Sequence, residues 1–180
     1  MVPEALDPVA LRAALDAGQF VLYFQPLVDL RPGAVTGVEL LVRWDHPTRG
    51  LLVPAALLPG LDVGLPSQWT GQTMLESGCA LVVRLAAAGA HLPDGIALNM
   101  PSKQLVTPSE AAQVLEVPDR HGLPGSVLAA EITATAEMRD VTQANRELSA
   151  LRDAGARVVA DDFGVAGPSS RGCCSCRCAG

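Results

Sequence analysis

Two stretches near the start of the chain are dense in β-forming residues: Phe20 to Leu30 (FVLYFQPLVDL) and Ala34 to Trp44 (AVTGVELLVRW). Arg31-Pro32-Gly33 is a turn signal, and so short a connection predicts an antiparallel pair. Ahead of them, Asp7 and Pro8 read as an N-cap and first helical position. They open a short helix, VALRAALDA, that stops at Gly18. After Trp44 the rhythm changes to helix alternating with strand. A helix is predicted from about residue 67 to 88, stopped by Gly89, and then a strand over 95–99 (GIALN). A helix over about 109–115 precedes a strand over 127–133 (VLAAEIT). A helix over about 140–154, apolar at helical spacing and stopped by Gly155, leads into ARVVADDFG at 156–164. This alternation predicts a mostly parallel sheet or an α/β barrel. Five strands are counted, whereas a closed barrel of this kind needs eight. No internal repeat is found.

At 180 residues the chain is long enough for one domain with a sizeable core. Apolar residues make up 49% and charged residues 18%, a globular composition that excludes disorder throughout. The net charge is −6 and Lys103 is the only lysine, so no basic stripe is offered to duplex nucleic acid. An acidic domain can still hold a phosphate ligand where a metal supplies the positive charge. Long apolar runs are all broken by charge, Gly or Pro, so no membrane span is predicted. The opening MVPEALDPVALRAALDAG is acidic and lacks the basic region of a signal peptide, which makes the cytoplasm the expected compartment. Cys79 sits alone in an apolar helical stretch and reads as a small core residue. Trp44 and Trp69 read as packing residues. His46, His91 and His121, near Pro or Gly, read as exposed side chains without chemistry.

Each predicted strand carries an oxygen-bearing side chain within or at the end of its apolar run: Gln25, Glu39, Asn99, Glu131, and the pair Asp161 and Asp162. Burying a carboxylate costs several kcal/mol unless it is paired or metal-bound. Accepting that cost on three strands argues for convergence on one point, which in α/β barrels is the C-terminal mouth. Taken singly, each residue reads better as a strand-end cap or a surface carboxylate than as part of a site; only the joint pattern carries the argument. The all-oxygen donor set suits Mg²⁺ or Mn²⁺ rather than zinc. Adjacent aspartates are placed to bridge two ions, the usual device for phosphodiester cleavage.

The order of short motifs adds a family. Gln25-Pro26-Leu27-Val28-Asp29 and Glu39-Leu40-Leu41-Val42-Arg43-Trp44 are followed by Leu98-Asn99-Met100-Pro101-Ser102. Glu131-Ile132-Thr133 and Asp161-Asp162-Phe163-Gly164 come after them. In order and spacing these resemble the EAL-domain cyclic di-GMP phosphodiesterases, over about residues 8–164. The resemblance implies an α/β fold, a TIM-type (β/α) barrel left incomplete at five strands with the first antiparallel. It makes residues 1–164 a partial EAL domain. It implies Glu39, Asn99, Glu131 and Asp161 as metal ligands, and Asp162 as the ligand of a second ion that helps activate water. Asp162 and Glu39 are then the catalytic carboxylates. Arg43 matches an arginine that meets a substrate phosphate, and Gln25 matches a substrate-contacting glutamine. The reaction implied is hydrolysis of one phosphodiester of cyclic di-GMP to pGpG, with Mg²⁺ or Mn²⁺ in a two-ion site.

The pattern also breaks. Ala134 stands where the family has a glutamate that supports the loop after the paired aspartates. That loop, usually close to Asp-Asp-Phe-Gly-Thr-Gly-Tyr-Ser-Ser-Leu, reads DDFGVAGPSSR here. The family's later lysine, glutamate and glutamine have no counterparts, so impaired or absent turnover is expected. The alternatives are a non-catalytic module binding cyclic di-GMP or a protein, and a product that does not fold alone. An open five-strand sheet exposes two edges, through which homodimers or larger associations are expected. Residues 165–180 form a separate Cys-rich tail ending in CCSCRCAG. It reads as a thiolate site for zinc or copper, as a disordered extension, or as out-of-frame translation. The last is favoured: with one GC-rich choice of codons (TGC TGC AGC TGC CGG TGC, after a C or T), residues 173–178 read one nucleotide earlier become Leu-Leu-Gln-Leu-Pro-Val. The family commonly carries Leu-Pro-Val at that distance.

Overall fold

The computed structural model describes residues 8–29, 33–53, 67–90, 92, 94–100, 105, 107–133 and 140–161. Helix α1 (Pro8–Asp16) precedes strands β1 (Phe20–Val28), β2 (Val35–His46) and β3 (Gly50–Leu52). Then helix and strand alternate: α2 (Ser67–Ala87), β4 (Gly95–Met100), α3 (Glu110–Arg120), β5 (Leu128–Thr133), α4 (Val141–Asp153) and β6 (Arg157–Asp161). A short 3₁₀ turn, Gly125–Val127, leads into β5. The sheet order is β1-β2-β4-β5-β6, with β3 beside β2. The β1–β2 pair is antiparallel, as its short turn predicts, and β2, β4, β5 and β6 are parallel. The architecture is therefore the expected α/β sheet of an incomplete barrel.

Alternation within each strand sorts the residues to two faces. Leu40, Ile96, Leu98, Leu128, Ala130 and Ile132 point to one face and are buried. Against them pack Leu75 and Cys79 of α2, Val117 of α3, and Leu148 and Leu151 of α4. The Cys79 expectation holds: the residue is fully buried, and burial pushes its thiol up to about 11. A second cluster joins Ala14 and Leu15 of α1 to Trp44, with Phe20 and Leu52 alongside. The Trp44 ring packs as expected, and its Nε1–H donates to Gln19 Oε1 at 3.0 Å. Gly95 starts β4 at a φ of +59°, and a Cβ there would lie 2.1 Å from the Val127 carbonyl oxygen, so strand β4 enters the sheet only with glycine.

Four details differ from the sequence expectations. A sixth strand, β3, pairs with the end of β2 after a short turn, and its first residue, Gly50, has a φ of +68°. Its three residues are too few to show a period. Helix α3 runs through Pro118 to Arg120 instead of stopping near residue 115. A proline usually discourages helix before it, but here Val117 and Pro118 are both buried, so packing outweighs the local preference. His121 is not an exposed bystander: it is half-buried, and its Nε2 lies 2.6 Å from Glu76 Oε2 on α2. His46 is also half-buried; its Nδ1 accepts the backbone N–H of Thr48 at 3.2 Å, and its ring lies 4.7 Å from that of Trp44. The side chain of Trp69, and the residues His91, Ala134, Asp162 and 165–180, lie outside the described residues.

Candidate active site on the polar sheet face

The register places the candidate residues by simple counting. Gln25 faces Glu39 across the antiparallel ladder. Glu39 pairs with Ala97, and Asn99 follows two residues along β4. Asn99 pairs with Glu131. Val159 pairs with Glu131, and Asp161 follows two residues along β6. Ladder partners share a face, and so do residues two apart on a strand. Gln25, Glu39, Asn99 and Glu131 therefore stand on one face, opposite the helices, and Asp161 holds a backbone position on that same face.

The positions also share one end. Asn99 is the penultimate residue of β4, Glu131 lies in the second half of β5, and Asp161 ends β6. Glu39 lies near the end of the β2 segment that pairs with β4. Glu39, Asn99 and Glu131 are each half-buried. Asn99 Nδ2 donates to Glu39 Oε1 at 2.8 Å, joining residues 60 apart in sequence. Below them, toward the other end of the strands, Ala97 and Ala129 pair with each other and are buried. Small residues there leave a floor beneath the oxygen atoms.

Arg43 lies four residues beyond Glu39 on the same face and is half-buried. Its Nη1 donates to the Val42 carbonyl at 2.8 Å, and its guanidinium carbon stands 5.7 Å from the centre of the Tyr23 ring. Gln25 is exposed at the edge of this face. The structure thus places Gln25, Glu39, Arg43, Asn99 and Glu131 on one face of the sheet, with Asn99 and Glu39 in direct contact. Among the described residues no three His, Cys, Asp or Glu side chains form an ion cage.

The opposite end of the sheet is tied shut. Arg157 at the start of β6 binds both the carboxylate and the carbonyl of Asp94, just before β4. A Thr36 hydrogen bond and then Arg157 hold the Asp94 carboxyl below its ordinary value of 3.8. Two buried carboxylates, Glu110 and Glu147, carried no signal in the sequence. Glu147 on α4 caps α3 from outside: it accepts the N–H groups of Ser109 at 3.2 Å and Ala111 at 2.9 Å, and Gln143 Nε2 at 2.7 Å. Tyr23, two residues from Gln25, stands on the same face.

A mostly parallel sheet covered by helices on one side, with carboxylates and an amide placed toward the strand C-termini on the other, defines the class: a barrel-type α/β protein. Comparison with known proteins makes it more particular. The EAL domain family matches residues 9–171, and the chain belongs to that family. The bifunctional diguanylate cyclase/cyclic di-GMP phosphodiesterase MucR of Pseudomonas aeruginosa is 36% identical over 156 residues, covering 86% of this chain and 22% of that protein. An uncharacterized protein of Mycobacterium tuberculosis is 33% identical over 159 residues, 86% of this chain and 25% of that one. The chain thus spans about a quarter of the length of these curated relatives. The solved PaMucR phosphodiesterase in complex with c-di-GMP superposes with a TM-score of 0.78 at 33% identity, covering 91% of this chain and 66% of that one. The FimX EAL domain from Pseudomonas aeruginosa, bound to c-di-GMP, shares the fold with a TM-score of 0.72 at 20% identity, over 89% of this chain and 64% of that one.

Proposed function

We propose that this EAL domain binds cyclic di-GMP on the polar face of its sheet and hydrolyses one phosphodiester bond to give pGpG. The observation that carries the reading is the 2.8 Å bond between Asn99 and Glu39, with Glu131 next in register. It puts carboxylate, amide and carboxylate on three neighbouring strands of a family whose named members include a cyclic di-GMP phosphodiesterase.

The donor set fits Mg²⁺ or Mn²⁺. These hard ions take oxygen ligands. The Asn99 amide oxygen and the second Glu39 carboxylate oxygen take no part in the bond that joins them. Glu39, Asn99, Glu131, Asp161 and Asp162 are the proposed ligands. Two such ions, when bound, would supply Lewis acidity at the phosphoryl oxygens and make water a stronger nucleophile. Arg43 offers a planar fork of N–H donors to a substrate phosphate, a geometry that lysine cannot copy. Gln25, exposed beside Glu39, offers an amide donor and acceptor to the nucleotide. Asp162 is assigned the water's proton, with Glu39 orienting the reacting group.

Turnover is proposed to be slow. Ala134 replaces the glutamate that steadies the loop after Asp162, and the loop itself reads VAGPSSR. A loosely held carboxylate loses much of the benefit of positioning. The same departure favours a second reading, in which the domain holds cyclic di-GMP without cleaving it. The cytoplasm is the proposed compartment; among the described residues no helix is long and apolar enough to cross a membrane. Self-association is proposed through β1 and β6, the sheet edges among the described residues.

The test pairs calorimetric titration of cyclic di-GMP with chromatography of pGpG, in Mg²⁺ or Mn²⁺, beside Glu39→Ala. Binding with turnover well below that of the MucR phosphodiesterase domain is expected, with no turnover in Glu39→Ala. Binding with no pGpG from the unmodified chain selects the second reading. Absence of binding overturns both.

A further inference from the structure

Tyr23 is the single tyrosine of the chain, and the core does not account for it. Its side chain is 48% exposed, in the middle of β1. Its ladder partner is Leu41, so its diagonal neighbour on β2 is Arg43, while Gln25 lies two residues along its own strand. All three stand on the face that carries Glu39 and Asn99. The Arg43 guanidinium carbon lies 5.7 Å from the ring centre, within the range of attraction between a cation and an aromatic face. Arg43 Nη1 also donates to the Val42 carbonyl at 2.8 Å.

These two holds act on a long side chain with several rotatable bonds. Freezing those bonds opposes binding when a ligand must do it. A guanidinium already parked over a ring has lost that freedom beforehand. The ring attracts through its π-face, so the effect belongs to the aromatic body and not to the hydroxyl.

We propose that Tyr23 is a positioning residue for Arg43: its ring holds the guanidinium over the mouth face, in the pose in which Arg43 meets a ligand phosphate. The ligand half of this statement rests on the assignment of Arg43 to cyclic di-GMP, whereas the aiming of Arg43 by the ring does not.

The experiment therefore has two readouts on the full chain. The first needs no ligand. In NMR spectra the Arg43 side-chain resonances, identified by their loss in Arg43→Lys, are expected upfield from the ring current of Tyr23. They keep that position in Tyr23→Phe and return to ordinary values in Tyr23→Leu. Resonances that do not move in Tyr23→Leu overturn the proposal. The second readout is the dissociation constant for cyclic di-GMP. Tyr23→Leu is expected to weaken binding about two- to fivefold, and Tyr23→Phe to restore it. In an Arg43→Ala background Tyr23→Leu is expected to add nothing, because the two residues act as one. An equal loss in both backgrounds overturns the proposal in favour of direct contact between Tyr23 and the nucleotide. If the ring-current signature is present but no form of the chain binds cyclic di-GMP, the aiming stands and the proposed function fails. Thermal melts of each variant separate these outcomes from unfolding.

Discussion

Glu39 and Glu76 are chemically the same side chain, and their surroundings give them different work. Glu39 accepts one amide N–H and sits at the mouth of the sheet. Glu76 is spent on structure: His121 first, and Arg120 second, hold its carboxyl below the ordinary value of 4.5. Those partners lie at the end of α3, so the cluster pins α2 to α3. A carboxyl depressed by folding contributes its full stability above the unfolded value and loses it as pH falls through the folded one. Thermal melts taken downward from about pH 6 should therefore show a decline below 4.5 that is shallower in Glu76→Gln. Glu76 is 41% exposed, so solvent screening keeps the effect small. The loop-like context of His121 was legible in the sequence, but its partner, 45 residues away, was not.

At the scale of elements, the start of α3 shows how one helix completes another. Ser109 at its N-cap is left-handed, with a φ of 70°, and its side chain caps nothing. The N–H groups of Ser109 and Ala111 go instead to Glu147 on α4. Removing a charged acceptor strands buried donors, which costs about 1–3 kcal/mol. Glu147→Ala is expected to lower stability by about that amount in urea titrations, while the exposed Glu116→Ala changes it little. Periodicity located α4, which carries Leu148 and Leu151 at helical spacing. It did not locate the cap, because Glu147 and Ala111 are 36 residues apart and meet only once the helices pack.

For the molecule as a whole, one sheet divides two environments. Helices α2 to α4 seal one face with aliphatic side chains. The other face has small residues at its floor, the Arg157–Asp94 pair at one end and the oxygen cluster at the other. An ion held at the mouth would link β2, β4, β5 and β6, and anything that binds only the folded chain stabilises it by mass action. Mg²⁺ or Mn²⁺ at about a hundred times its dissociation constant should add about 2.7 kcal/mol. The melting temperature is expected to rise with either ion, to fall back on chelation, and to be insensitive to both in Glu39→Ala. An unmodified chain whose melting ignores both ions would argue against the proposed ligand set.

What the sequence determined by itself is what depends on near neighbours. Runs of β-forming residues located the strands, and an oxygen-bearing side chain within or at the end of each run marked the candidate positions. A period of 3.6 and glycine stops marked the helices. A three-residue turn made β1 and β2 antiparallel. The tertiary structure decided the rest, because partners distant in sequence are chosen by strand order and helix packing. Asn99 meets Glu39 only because β4 docks directly beside β2. Tyr23 meets Arg43 only because the ladder register sets them diagonally. Strand β3 exists because the end of β2 offers it an edge, and α3 passes Pro118 because the core rewards burying it. Local pattern assigns each residue a face; only packing assigns it a partner, and the chemistry of a carboxylate or a guanidinium follows its partner.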